Sequence, residues 1–167
     1  MAQLHFFGGE KGGVGKSFVC RTAIQFHEDQ QMTPTIFDTD RSNPDVRRIY
    51  SHLGCRIAVF SEGEKYEDTA NVIYNTAINE RVLVNLPAQV FTPVKEWFEK
   101  NELFELSLED GVEFYYWFVS DGGYDSLKLF GRSLKFFEGK VTHILVKNEG
   151  KCDDWTPLEQ DEELQAL

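Results

Sequence analysis

The stretch Gly8-Gly9-Glu10-Lys11-Gly12-Gly13-Val14-Gly15-Lys16-Ser17 gathers glycines, lysines and a hydroxyl in one short segment. Glycine lets a backbone turn tightly enough to aim successive N–H groups at one anion. Gln3 to Phe7, just before it, reads as a strand, and Ser17 to Asp29, just after it, reads as a helix. A strand-to-helix junction of this composition is the setting of a phosphate-binding loop, where the positive end of the helix dipole adds to the amides. The candidate cradle is therefore Gly12, Gly13, Val14, Gly15, Lys16, Ser17 and Phe18. Lys16 would reach the β- and γ-phosphates, and the Ser17 hydroxyl would bind Mg²⁺. Glu10 stands where the general G-x-x-x-x-G-K-[ST] pattern has its first glycine.

A second constellation is Phe37-Asp38-Thr39-Asp40, at the end of another apolar run. Two carboxylates at one strand end can both face the crevice above the carboxyl edge of a sheet, where ligands sit in open α/β folds. One would hold Mg²⁺ through water and the other would orient an attacking water. A polar loop closing a strand is the plainer alternative. His5, His27, His52 and His143 are scattered without metal-ligand spacing, and no G-x-S-x-G elbow is present.

The elements that must position these groups follow from periodicity. Short strands are expected at Gln3 to Phe7, Thr35 to Phe37, Arg81 to Leu86, Glu113 to Val119 and Val141 to Val146, with a further apolar run at Ile57 to Phe60. Between them lie helical patterns. Ser17 to Asp29 places Val19, Thr22, Ala23 and Phe26 on one face, and Tyr124 to Glu138 places Leu127, Phe130, Leu134 and Phe137 on another. Pro44 to Tyr50, Thr69 to Asn79 and Val94 to Lys100 are shorter helical patterns. Ser61 to Asp68 is polar and reads as an exposed loop. Alternating strands and helices predict an α/β fold, an open, mostly parallel twisted sheet with helices on both faces. The aromatic run EFYYWFV, Glu113 to Val119, has no interleaved Lys or Arg and reads as a buried central strand rather than a base-stacking platform.

The chain has 167 residues, which favours one domain. Residues 1–150 read as a nucleotide-binding unit and 151–167 as an acidic tail or final helix. Lys+Arg 17 against Asp+Glu 28 gives a net charge of −11, a field that repels nucleic-acid phosphates and anionic lipid heads. Cys20, Cys55 and Cys152 are far apart and read as free thiols, so a cytoplasmic location is expected. No apolar stretch approaches the ~20 residues of a membrane span, and no secretion signal is visible in Met1 to Gly9.

Lys11-Gly12-Gly13-Val14-Gly15-Lys16-Ser17 resembles the deviant Walker A motif of the ParA/MinD family of P-loop ATPases, which also includes nitrogenase iron protein and the ATPases that target tail-anchored proteins. Ile36-Phe37-Asp38-Thr39-Asp40 is similar to that family's second-strand D-x-D, and Val82-Leu83-Val84-Asn85-Leu86-Pro87-Ala88 to its Walker B strand. The resemblance implies ATP and Mg²⁺ as cofactors. It implies that Lys11 reaches across a nucleotide-sandwich homodimer to the partner's phosphates, that Asp38 serves the Mg²⁺ shell and that Asp40 activates the attacking water. Asn85 takes the acidic Walker B position and would meet a Mg²⁺-bound water without bringing negative charge. Asn148, after the last strand, would hydrogen-bond the adenine edge. Phe18 is a departure, since relatives often carry Thr or a small residue there.

The function so implied is a slow, partner-stimulated Mg²⁺-dependent ATP hydrolase acting as an ATP-driven dimer switch in plasmid partition, maintenance or transfer. The activating protein partner is not specified by the sequence. Lys128, Arg132, Lys135 and Lys140 form a modest basic cluster that would support weak, non-specific DNA binding; no membrane partner is expected. Two other readings stay open. One is a nucleotide-binding interaction protein that barely hydrolyses ATP, which Asn85 favours. The other is a biosynthetic ligase of the dethiobiotin or cobyrinate type, which Lys11 argues against.

Overall fold

A computed structural model describes residues 2–60 and 67–167 of the chain. Its strands are β1 (Gln3–Gly8), β2 (Thr35–Asp38), β3 (Arg56–Ile57), β4 (Arg81–Asn85), β5 (Glu113–Ser120) and β6 (Thr142–Lys147). Its α-helices are α1 (Lys16–Asp29), α2 (Asp45–Tyr50), α3 (Glu67–Ala77), α4 (Phe91–Lys100), α5 (Leu103–Asp110), α6 (Tyr124–Phe137), α7 (Thr156–Glu159) and α8 (Glu162–Gln165). Every strand pair is parallel and the spatial order is β3-β2-β4-β1-β5-β6. The expected open α/β sheet is therefore present. β1 lies between β4 and β5, so the loops leaving the carboxyl ends of β1, β2, β4 and β5 converge on one edge. That is where an open α/β fold binds ligands.

Strand alternation divides the core. One face of the sheet presents Leu4, Phe6, Phe37, Val82, Val84, Phe114, Tyr116 and Phe118 to α3, α4, α5 and α6. The other presents Phe7, Ile36 and Leu83 to Cys20 and Ile24 of α1 and Val46 and Tyr50 of α2. The first face is dense in aromatic rings; Phe98 meets Phe114 at 5.0 Å and Phe137 at 5.2 Å between centroids, both edge-on, the arrangement the ring quadrupole favours.

Several expectations need correction. α1 buries Cys20, Ile24 and His27, whereas Phe26 is 56% exposed and Thr22 faces solvent. Its rotation buries positions 20, 24 and 27, and leaves Val19 and Ala23 partly buried at the margin of the same cluster. Of the apolar run at 57–60 only Ile57 belongs to a strand, β3, where it and Arg56 are exposed, while Ala58 and Phe60 turn into the core. α5 is a helix that the pattern did not announce. The expected loop over 61–68 lies mostly outside the described residues, and its last two positions already belong to α3. β5 is an inner strand next to the edge strand β6. Its even-numbered aromatics are buried, and Tyr115 and Trp117 are half-buried.

The acidic segment after residue 150 forms two short helices docked on α6. Trp155 and Leu158 are buried beside Leu127. Leu164 sits over Gly131, where a Cβ would stand 2.8 Å from its Cδ2. Glu163 pairs with Lys135.

His5 gives the fold a sensitivity to acid. Its ring stacks on Tyr115 with centroids 4.6 Å apart, its Nδ1 accepts from Trp117 Nε1 at 3.3 Å, and its Nε2 is buried without a partner among the described residues. Burial, with the Arg81 charge second, lowers its pKa from 6.5 to about 4. Between those values the unfolded chain binds the extra proton, so stability is present above the unfolded pKa and is lost as pH falls through the folded one. We expect urea unfolding to lose about 1 kcal/mol per pH unit on going from near-neutral to about pH 5 through this group. A His5→Gln variant should show a shallower decline; equal slopes would assign the effect elsewhere.

Candidate functional site

The glycine-rich loop joins β1 to α1 at the carboxyl edge of the sheet. Gly9 (φ 143), Gly13 (φ 74) and Gly15 (φ 108) adopt left-handed or related conformations closed to most side chains. At Gly9 space demands glycine as well, since a Cβ would stand 2.4 Å from the Val119 carbonyl oxygen. Among the described residues, Gly12 and Gly13 have no neighbour within 4 Å of where a Cβ would lie, so their side of the loop is open to those residues. Among the described residues no side chain caps the amino end of α1. The first amides of a helix lack intrahelical partners, and here they remain available to an anion at the loop.

Lys16 opens α1 and is only 8% exposed. Its ammonium folds back and donates to the Lys11 carbonyl at 2.8 Å. Burial lowers its pKa, and the charges of Glu10 and Asp40 oppose that shift. Ser17 is half-buried beside it, and its hydroxyl takes no partner among the described residues. Phe18 projects outward, 67% exposed.

Asp38 and Asn85 lie side by side at the ends of β2 and β4, where the strand register pairs them. Asn85 Nδ2 donates to Asp38 Oδ1 at 3.0 Å. Asp38 also accepts from the Asp40 amide at 3.2 Å and, through Oδ2, from the Arg47 amide at 3.0 Å, which ties α2 to the strand end. Asp38 is thus buried and committed to orienting Asn85 and the β2–α2 loop. Asn85 Oδ1 is buried and unpaired among the described residues. Asp40 is half-exposed, with Oδ1 accepting from the Ser42 hydroxyl at 2.6 Å and amide at 3.1 Å and from the Asn43 amide at 3.0 Å.

Asn148 follows β6 and reaches the loop: its Nδ2 donates to the Val14 carbonyl at 2.7 Å and its Oδ1 accepts from the Gly150 amide at 3.1 Å. Its amide ties the end of β6 to the loop. The fold thus gathers Lys11, Lys16, Ser17 and Asn148 around the loop, with Asp40 close enough to act electrostatically on Lys16. Asp38 and Asn85 form one buried pair below the crevice.

Two residues escaped the sequence reading. Glu10 accepts from the Phe91 amide at 2.9 Å and its carbonyl accepts from the Gln89 amide at 3.0 Å, so it clips the loop to the amino end of α4. Burial raises its pKa, against the pull of the Phe91 and Val90 amides. A glutamate in the pattern's glycine position was the available signal. Asp121 accepts from the Lys11 ammonium at 2.7 Å. In sequence it reads merely as the stop after β5.

The basic cluster is largely engaged. Arg132 lies over the Phe91 ring, Lys128 over Tyr124 and Lys140 over Phe104, and Lys135 pairs with Glu163. Asp161 and Glu163 share a groove with Lys128, Arg132 and Lys135, so acidic groups face the basic helix. Among the described residues no helix is long and apolar enough to cross a membrane.

No family model matches the chain. It is similar to the protein TraL of Escherichia coli, with 26% identity over 172 residues that cover 96% of this chain and 67% of TraL. It is also similar to the protein MobD of Acidithiobacillus ferrooxidans, with 36% identity over 47 residues, 28% of this chain and 21% of MobD.

Proposed function

We propose that this chain is a Mg²⁺-ATP-binding switch of plasmid transfer that hydrolyses its nucleotide slowly. The observation that carries the reading is the open loop: uncapped helix amides beside a buried lysine whose ammonium rests on a backbone carbonyl. Phosphate oxygens would replace that carbonyl with a charge-assisted partner. The similarity to TraL and MobD is compatible with that cellular setting.

The residues fit the cofactors. The amides from Gly12 to Phe18 and the Lys16 ammonium would hold the phosphates. The free Ser17 hydroxyl and the orphaned Asn85 oxygen supply acceptors suited to Mg²⁺, Asn85 through a water. When bound, Mg²⁺-ATP supplies a γ-phosphate whose presence or absence distinguishes two states. Asp40 would orient the attacking water with the oxygen its own loop does not engage. Lys11 would serve a homodimer, and an activating protein would complete the turnover. DNA contact through α6 would be weak, because its basic groups already have partners.

A second reading, an interaction protein with little hydrolysis, is favoured by one observation: the residue beside Asp38 at the end of β4 is a neutral Asn85 that donates to it. Calorimetry with MgATP and MgADP, joined to phosphate-release assays, separates the two. Binding with release above that of Lys16→Ala supports the hydrolase; binding without release selects the second reading. No heat of association overturns both.

A further inference from the structure

Lys11 is anchored twice. Its ammonium donates to Asp121 Oδ2 at 2.7 Å, and its carbonyl accepts from Lys16 at 2.8 Å. Asp121 follows β5 and opens the turn into α6, and its Oδ1 accepts from the Gly123 amide at 3.2 Å. Gly123 has φ −70, a conformation open to any residue, so the backbone does not require glycine there. A Cβ there would be a close neighbour of the pair, 3.3 Å from Asp121 Oδ1 and 3.7 Å from the Lys11 ammonium. The turn itself is fixed from below, since Ser120 Oγ bonds Ser126 Oγ at 2.9 Å and accepts from the Gly122 amide at 3.1 Å. Asp121 is therefore a firmly mounted acceptor. On the other side, Lys11 continues into Gly12 and Gly13, which carry no side chain to anchor them and where a Cβ would meet nothing within 4 Å among the described residues. The pair holds each charge, Asp121 below the usual carboxylate range and Lys11 above the usual ammonium range.

We propose that Asp121 is a positioning residue that holds Lys11 against its own subunit before nucleotide binds, and that phosphate drawing Lys16 off the Lys11 carbonyl releases this hold. The inference rests on the phosphate-site reading above and adds a device to it. Lys16 reports occupancy, its grip on the Lys11 carbonyl is the link, and the glycines are the hinge. A lysine so released presents its charge outward only when the site is filled, so chains without nucleotide do not offer it to a partner's phosphates.

The test is lysine acylation followed by mass spectrometry on the full chain, with exposed Lys151 as the internal standard. The side chain of Lys11 is 47% exposed and so reaches reagent, but pairing with Asp121 keeps its ammonium protonated and slow. Without nucleotide, Asp121→Asn should speed Lys11 acylation about threefold, in keeping with a partly exposed pair. An unchanged rate overturns the hold. Gly123→Ala, which crowds the pair without removing a charge, should act in the same direction and serves if Asp121→Asn folds poorly. In the natural chain, MgADP should slow Lys16 and speed Lys11 to the rate of the variant. Lys16 slowed with Lys11 unmoved overturns the release while leaving the phosphate site standing. Lys16 unaffected by saturating MgADP overturns the phosphate site and the release with it, whereas the nucleotide-free comparison still reads the Asp121 pair.

Discussion

Lys16→Ala should weaken MgADP binding at least about a hundredfold, the equivalent of about 3 kcal/mol. Lys16 is almost fully buried at the amino end of α1, where water screens little. A charge-assisted hydrogen bond there is worth about 1.5–3 kcal/mol, and an ammonium with several donors can serve more than one phosphate oxygen. The backbone amides would remain in the variant, so residual binding should persist rather than vanish. Stability should move little, because burial already disfavours the Lys16 charge and the partner it holds among the described residues is a carbonyl that can turn to water. Calorimetry on the variant, beside a thermal melt within a few degrees of the parent, makes the measurement. Affinity equal to the parent's would mean that the loop does not bind phosphate through this lysine. Lys16→Arg keeps the charge but lengthens the side chain, and should fall between the two.

The loop was legible because its chemistry is local. Glycines, lysines and a hydroxyl fall in one short segment between a strand pattern and a helix pattern, and the structure places them at that junction. The strands were legible because apolar, β-branched runs in a parallel sheet are buried on both faces. Partners set by tertiary proximity were not. Asp121 lies 110 residues from Lys11 along the chain, and Phe91 lies 81 residues from Glu10; neither spacing leaves a trace in a periodic pattern. The rotation of α1 was misread for a related reason. Phe26 has the larger apolar surface, but small Cys20 and Ile24 fit the close approach of α1 to β1 and β4, and Phe26 was left outside. The segment after residue 150 looked solvated by its carboxylates. Trp155, Leu158 and Leu164 decide its place, and short helices with three such anchors can dock where charge count alone predicts a free tail.

Asn85→Asp tests the buried pair beneath the loop. In the natural chain Asn85 is wholly buried and offers its amide hydrogen to Asp38, itself 1% exposed. The substitution exchanges that donor for a second carboxylate oxygen facing the first across a hydrogen-bond distance. Two buried carboxylates cannot both ionise cheaply, so the pair must take up a proton and its upper pKa rises. At about pH 8 the variant should be less stable than the parent by about 3 kcal/mol. The raised folded pKa means that the folded state keeps a proton that the unfolded chain has lost, so the penalty grows as pH rises and shrinks as pH falls toward the ordinary carboxylate range. Urea melts at about pH 8 and about pH 5 should therefore show a smaller gap from the parent at the lower value. A variant as stable as the parent at the higher pH would mean that Asn85 does not donate to Asp38. Magnesium supplies the second arm. If Ser17 and Asn85 lie at a metal position, MgADP should recover stability in the variant beyond what it adds to the parent, because a divalent cation relieves the repulsion that the new charge creates. Recovery no greater than the parent's would detach Asn85 from the metal and leave it a structural partner of Asp38.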